Sequence, residues 1–116
     1  MQTLKKKIVI MIYEVNLQVQ REIIDEYRAW LFTHIADILN LPGFQSAELF
    51  DVQTSEPNFC SLSVQYRLAS PNDLENYFQN HAPRMRADGL ERFGDRFSAT
   101  RRVLQNPTLF QRKNNM

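Results

Sequence analysis

The first long apolar run of the chain, 8–17, follows a period of two. One face of a strand over this run is apolar throughout. The other face is apolar at its start and becomes polar at Glu14 and Asn16. A strand that is apolar on both faces belongs inside a sheet, so the run predicts a central strand with one polar end.

The next segment, 21–40, has the period of an amphipathic helix. Its apolar and aromatic face comprises Ile23, Ile24, Tyr27, Trp30, Leu31, His34, Ile35, Ile38 and Leu39. The sequence Leu41-Pro42-Gly43-Phe44 follows. It predicts the helix end, because Pro42 cannot continue a helix and Gly43 tolerates positive φ.

Two further strands are predicted over 44–52 and 59–68, joined by a turn at 53–58. In the first of them, simple alternation puts Phe44 on the same face as Glu48 and Phe50. In the second, apolar residues alternate cleanly with Ser63, Gln65 and other polar residues. The pair predicts a hairpin with one core face and one polar face.

A second helix begins near residue 70, with Ser70 as N-cap and Pro71 at its first position. Pro83 is expected to break or kink this helix. Gly89 and Gly94 are expected to bracket a last turn before a fourth strand over 95–104. Asn106-Pro107 then predicts the end of that strand.

This order of strands and helices predicts an α+β fold of the ferredoxin-like βαββαβ type. Its sheet would be four-stranded and antiparallel, with two helices on one face. A chain of 116 residues suits one such domain, which we assign to 8–105. The segments 1–7 and 106–116 are predicted to be flexible termini.

Composition narrows the class of partner. The net charge of +1 gives no reason to expect nucleic acid, and the third strand lacks the basic-Gly-aromatic signature of RNA-recognition modules. The single cysteine, Cys60, is expected to be a reduced, buried thiol. The basic start followed by an apolar run has no cleavage site and is too short to span a membrane, so we expect a cytoplasmic protein.

Four segments carry a resemblance to a known family: Tyr13-Glu14-Val15-Asn16, the 27–34 aromatic stripe, the 41–44 turn and the strand sequence Arg96 to Arg102. They resemble a bacterial domain-of-unknown-function family in the dimeric α+β-barrel group. The resemblance covers 8–104. It implies a homodimer in which two sheets pack face to face, with a cavity between each sheet and its helices or between the sheets.

The resemblance also extends distantly to antibiotic-biosynthesis and haem-degrading monooxygenases. These relatives have an asparagine on the first strand facing the cavity, and Asn16 matches that position. Their iron-binding histidine and third-strand tryptophan have only His81 and Tyr66 as counterparts here. We therefore predict no haem and no other cofactor.

The candidate site residues lie on the face of the predicted sheet that the helices leave uncovered. They are Glu14, Asn16, Glu48, Ser63, Gln65, Arg67, Thr100 and Arg102. Arginines at such a site would suit an anionic ligand, and they would equally suit a carboxylate across a dimer interface. Both interpretations remain open, with Glu14, Asn16, Glu48, Arg67 and Arg102 as the hypothetical ligand-binding set.

No sequence motif assigns a reaction. His34, His81 and Cys60 lack the spacing of a metal site, and His34 is expected to be a core or rim residue. The favoured function is a homodimer that binds a small ligand or a partner. The alternative is a monooxygenase-type enzyme acting on an organic substrate near Asn16, polarised by that amide and by Arg67 or Arg102.

Overall fold

The computed structural model describes residues 11–113 and has the predicted ferredoxin-like α+β fold. Its elements are β1 (Met11–Gln20), α1 (Ile24–Leu39), β2 (Phe44–Val52), β3 (Phe59–Leu68), α2 (Pro71–Asn80), α3 (Ala82–Phe93) and β4 (Phe97–Gln105). A 3₁₀ turn, Arg21–Ile23, leads into α1, and another, Gly94–Arg96, leads into β4.

The four strands form one antiparallel sheet in the order β2-β3-β1-β4. The first strand is central, as predicted. It runs to Gln20, three residues beyond its expected end at Leu17, because Gln18 to Gln20 continue to pair with β3. The expected start at Ile8 lies outside the described residues.

The core lies between the sheet and the helices. From β1 it takes Met11, Tyr13, Leu17 and Val19, all 5% exposed or less, while Gln18 on the other face is exposed. From α1 it takes Tyr27, Leu31 and Ile38, as the helical period predicted. The alternation of β1 therefore separates a helix-facing side of the sheet from an open side.

The predicted face of Phe44 is wrong. Phe44 pairs with Leu68, and Ser46 pairs with Arg67, which directly precedes Leu68 in β3. Gln45 is therefore an extra residue in a β-bulge. The bulge puts Phe44 on the helix-facing side, where it packs edge-on against Tyr66 with 5.6 Å between ring centroids. Strict alternation holds only beyond the bulge.

The second helical region is broken in two, as Pro83 predicted. α2 begins with Ser70 as N-cap, whose hydroxyl accepts a hydrogen bond from the backbone N–H of Asp73 (3.2 Å), and it ends at Asn80. His81 separates it from α3, in which Pro83 occupies the first turn. Gly89 and Gly94 bracket the last turn of α3, as predicted, because Gly89 is buried in the helix just before that turn and Gly94 is the C-cap just after it.

The fourth strand begins at Phe97, two residues later than predicted, because Gly94 (φ +59) starts the 3₁₀ turn instead. Asn106 also has positive φ and follows the end of β4. Residues 107–113 have no helix or strand, and Leu109 and Phe110 there are at least 80% exposed. The predicted flexible ends 1–7 and 114–116 lie outside the described residues.

The molecule is a thin slab with principal extents of 58 × 39 × 19 Å and a radius of gyration of 17.2 Å. A compact chain of about 100 residues has a radius of gyration of roughly 13 Å. One layer of helices on one sheet accounts for the small thickness. Within residues 11–113, no helix is long and apolar enough to cross a membrane.

Candidate ligand-binding site

All eight candidate residues lie on the open side of the sheet, where the register arranges them in rows across the strands. One row is Glu48, Gln65, Glu14 and Arg102. The next is Phe50, Ser63, Asn16 and Thr100. Arg67 lies in a row with Ser46, Ile12 and Leu104. The candidates thus share one continuous polar surface that includes several exposed apolar side chains.

Glu14 is the centre of a hydrogen-bond network on this surface. Its Oε1 accepts from Arg102 Nε (2.5 Å) and from Asn16 Nδ2 (2.8 Å), and its Oε2 accepts from Gln65 Nε2 (2.9 Å). The Arg102 hydrogen bond, followed by that from Asn16, lowers the pKa of the Glu14 carboxyl below 4.5, although burial acts in the opposite direction. Glu14 is 4% exposed, and its hydrogen bonds keep this buried carboxylate ionised.

The remaining candidates are not part of this network. Glu48, Arg67 and Thr100 are exposed, and their side chains form no hydrogen bond with any residue in 11–113. Beside Asn16 lies an open depression of about 330 Å³, lined also by Gln18, Ser61, Ser98 and Thr100. The open side therefore offers a surface, whereas an enclosed cavity there would need a second molecule as its roof.

A different pocket lies on the helix-facing side, with a cavity volume of about 50 Å³. We call it the inner pocket. Its polar and aromatic lining residues are Tyr13, Tyr27, Trp30, His34, Tyr66, Tyr77, Arg86, Phe97 and Arg101. Space of this size admits a few waters, and an aromatic ring would enter only if side chains at the rim moved aside.

The walls of this inner pocket are packed aromatic rings. The Tyr13 ring lies 5.9 Å from that of Tyr66 and 5.8 Å from that of Tyr77, centroid to centroid. The Trp30 ring stacks on His34 at 4.4 Å, and its Nε1 donates to Asp88 (3.0 Å). These contacts fix the ring planes and give the pocket a rigid, flat-sided interior.

Burial sets the protonation states of the pocket side chains. It raises the pKa of the Tyr77 hydroxyl to about 12 and raises the pKa of Tyr66 further, so both are neutral at physiological pH. Desolvation lowers the pKa of His34 below 6.5, against the attraction of Asp88 and Asp37. At neutral pH the pocket therefore presents a neutral imidazole and neutral phenols.

Two arginines of the inner pocket were not singled out from the sequence. Arg101 and Arg86 are exposed residues at its rim, and Arg86 donates to the Tyr13 hydroxyl (3.3 Å). The alternation of β4 could have placed Arg101 on the helix-facing side, because Arg101 is in phase with Phe97 and Ala99 of that side. Arg102 is in the opposite phase and faces Glu14.

Asn16 and His81, the residues compared with haem-degrading relatives, do not line the inner pocket. Asn16 is on the open side, and His81 is at the junction of α2 and α3, where its Nδ1 is buried without a hydrogen-bond partner in the described chain. Haem binding through these two residues would thus need a group that reaches both sides of the sheet. Residues 11–113 contain no cluster of three or more His, Cys, Asp or Glu able to hold a metal ion.

Comparison with known proteins identifies the family. Residues 10–106 match the model of the family described as Domain of unknown function (DUF4286). The match covers most of the chain, so the chain belongs to this family. No curated protein matches it.

Solved structures share the fold at low sequence identity. A mutant of SnoaB, a cofactor-independent oxygenase from Streptomyces nogalater, has a TM-score of 0.64 and 12% identity, and the match covers 88% of this chain and 98% of that one. A conserved protein from Methanosarcina mazei Go1 also has a TM-score of 0.64, with 10% identity and 86% and 95% coverage. A protein named as an antibiotic biosynthesis monooxygenase, from Bacillus cereus, has a TM-score of 0.62, 13% identity and 89% and 98% coverage.

Proposed function

We propose that this member of the DUF4286 family is a homodimeric protein that binds a small organic molecule in the inner pocket. The observation that carries the proposal is the lining of that pocket. Buried aromatic rings form its floor, and arginines stand at its exposed rim. An apolar cavity with a few convergent polar groups is the usual form of a small-molecule site.

The polar network on the open side supports a partner there in preference to a ligand. Both oxygens of Glu14 already accept hydrogen bonds, from Arg102, Asn16 and Gln65. A new ligand would have to displace one of these donors, which costs free energy because it leaves a buried charge less well partnered. Two such surfaces can meet without displacing any of them.

Ligand binding can be measured through Trp30, the single tryptophan of the chain, which lines the inner pocket. Titration with small aromatic compounds should change its fluorescence in a saturable way. A Val15→Phe variant would put a larger side chain into the inner pocket, because Val15 lines this pocket from β1. That variant should keep its circular dichroism spectrum and lose the saturable signal. A signal that remains in the filled variant would contradict binding in the inner pocket.

The homodimer is proposed to form through the open side of the sheet, where Phe50 and Val52 are more than 40% exposed. Sedimentation equilibrium should give about twice the mass of the chain. Phe50→Arg should shift the equilibrium to monomer, because it puts a charge into the proposed interface. Phe32→Arg is the matched control, since Phe32 is 62% exposed on α1, on the opposite side of the molecule. Equal effects of the two variants would contradict this interface.

The second candidate function is that of a monooxygenase-type oxidoreductase, favoured by the structural similarity to a cofactor-independent oxygenase. Its organic substrate would lie in the depression beside Asn16, between two sheets, and would itself supply the electrons for oxygen reduction. Oxygen uptake in the presence of dihydroxynaphthalenes tests it. Uptake that depends on the protein and is lost in Asn16→Ala would favour the enzyme over a binding protein.

A further inference from the structure

The side chains that line the inner pocket include two arginines and no carboxylate, although Asp88 lies beside the pocket and accepts a hydrogen bond from Trp30 Nε1. The two arginines are Arg86 and Arg101. Within residues 11–113, the Arg101 guanidinium has no salt bridge and no hydrogen bond, and Arg86 donates only to the uncharged Tyr13 hydroxyl. A guanidinium has five N–H donors in a planar fork that matches a carboxylate. Most of these donors are unused at this rim.

The floor of the pocket adds no compensating negative charge. Tyr66 and Tyr77 are at most 3% exposed, and burial keeps both hydroxyls protonated. His34 is neutral at physiological pH for the same reason. The Tyr13, Tyr66 and Tyr77 rings offer flat apolar surfaces to a ring placed between them and the rim.

Size limits what can occupy the pocket. A volume of about 50 Å³ leaves room for a single ring at most, and only if flexible side chains at the rim, such as Met85, move aside. The charged end of such a ligand would remain at the exposed rim. There it keeps part of its hydration and meets the two guanidinium groups.

We infer that the inner pocket selects a monocyclic aromatic carboxylate, with its ring on the tyrosine floor and its carboxylate between Arg101 and Arg86. This inference rests on the proposed ligand-binding function and adds the charge and size of the ligand. An oxyanion of another kind, such as an aryl phosphate, shares part of this chemistry. The flat carboxylate is the better match to the planar guanidinium fork.

Trp30 fluorescence, excited so that tyrosine contributes little, measures the selectivity with matched probes. Benzoate, benzamide and benzylamine share one ring and differ in charge, phenyl phosphate tests the oxyanion, and 2-naphthoate tests size. Benzoate should bind about 10-fold more tightly than benzamide, which is the effect of one charge-assisted hydrogen bond. Benzylamine, phenyl phosphate and 2-naphthoate should bind more weakly than benzoate.

Two variants and one control link the selectivity to the rim. In Arg101→Gln and Arg86→Gln, the preference for benzoate over benzamide should fall to about 2-fold or less, while benzamide binding should change little. The control is Arg92→Gln, on the same helix as Arg86 but outside the inner pocket. It should keep the preference of the unmodified protein.

The outcomes distinguish failure of the carboxylate inference from failure of the proposed ligand-binding function. Equal binding of benzoate and benzamide, or a preference that persists in both rim variants, overturns the carboxylate inference and leaves a ligand-binding pocket. Tighter binding of phenyl phosphate overturns the choice of carboxylate, and tighter binding of 2-naphthoate overturns the size limit. If none of the five probes gives a saturable signal, the inference and the proposed function both fail.

Discussion

Arg101 and Arg102 are adjacent in sequence and act on opposite sides of the sheet. Arg102 faces Glu14 on the open side, and its role in a polar patch was predictable from alternation. Arg101 follows Phe97 and Ala99 on the helix-facing side, yet a charge at a core phase does not by itself indicate a pocket. A long side chain at such a position can extend to solvent, so only the three-dimensional structure reveals that it borders a cavity.

Replacement of Arg102 by Met should destabilise the protein, because it removes the charged donor from Glu14, whose side chain is 5% exposed. Since the Arg102 side chain itself is 67% exposed and two other donors remain, we expect a loss of roughly 1–2 kcal/mol. Urea denaturation measures it. Arg67→Met on the same side removes no hydrogen bond within the described chain and should change the stability by less than about 0.5 kcal/mol.

His34 should make the protein less stable as the pH falls below about 6.5. Its pKa is lowered in the folded state, so the unfolded chain binds more protons in this range and acidification favours unfolding. Tm values between pH 7.5 and about 5.5 measure the effect. His34→Gln should flatten this slope, and an unchanged slope would contradict the role of His34.

Glu14 should affect the stability of the protein in a separate, more acidic pH range. Its pKa is lowered by Arg102 and Asn16, so its contribution to stability is complete above about 4.5 and is lost as the pH falls through the lower folded value. Stability curves of Glu14→Gln and of the unmodified protein should therefore converge at low pH. Curves that remain parallel down to acid pH would refute this assignment.

At the scale of the elements, the ends of the helices could be predicted from the local sequence. The Ser70 cap, the break caused by Pro83 and the Pro42-Gly43 helix end all follow from backbone rules that act within a few residues. The bulge at Gln45 does not, because it depends on how Phe44 packs against Tyr66 and Tyr77. The extra residue keeps Phe44 in the core while the rest of β2 keeps its own alternation.

Gly43 should be the glycine least tolerant of substitution. Its φ is +85, and a Cβ there would lie 2.2 Å from the Cβ of Asp73 at the start of α2. Gly43→Ala thus adds a clash between two elements to the backbone strain, at an expected cost of more than about 2 kcal/mol. Gly94→Ala is the control, since Gly94 also has positive φ but nothing within 4 Å. Thermal denaturation should rank Gly43→Ala as the more damaging change.

For the whole molecule, the order of elements was enough to predict the topology. Four strands and two helical regions in this order have few ways to form one sheet, and the doubly apolar first strand indicated its centre. The oligomeric state could not be predicted in the same way. A polar surface with scattered apolar residues is compatible with solvent, ligand or a second copy, and alternation alone does not distinguish them.

A proposed dimer implies that stability depends on protein concentration. If two folded chains associate, mass action stabilises them, so Tm should rise as the concentration increases through the dissociation constant. Differential scanning calorimetry over roughly a hundred-fold range of concentration tests this. Phe50→Arg should abolish the dependence and Phe32→Arg should retain it. A Tm independent of concentration in the unmodified protein would argue for a monomer.

The slab shape has a thermodynamic consequence for any isolated chain. With a thickness of 19 Å, much of the sheet contacts water in the folded monomer, so unfolding exposes less new apolar surface per residue than in a protein covered on both sides. The heat-capacity increment of the monomer should therefore lie below the usual value of about 12–15 cal/mol/K per residue. Its free energy of unfolding would then vary only slowly with temperature, so cooling and warming would change the folded fraction less than in a thicker protein of the same length.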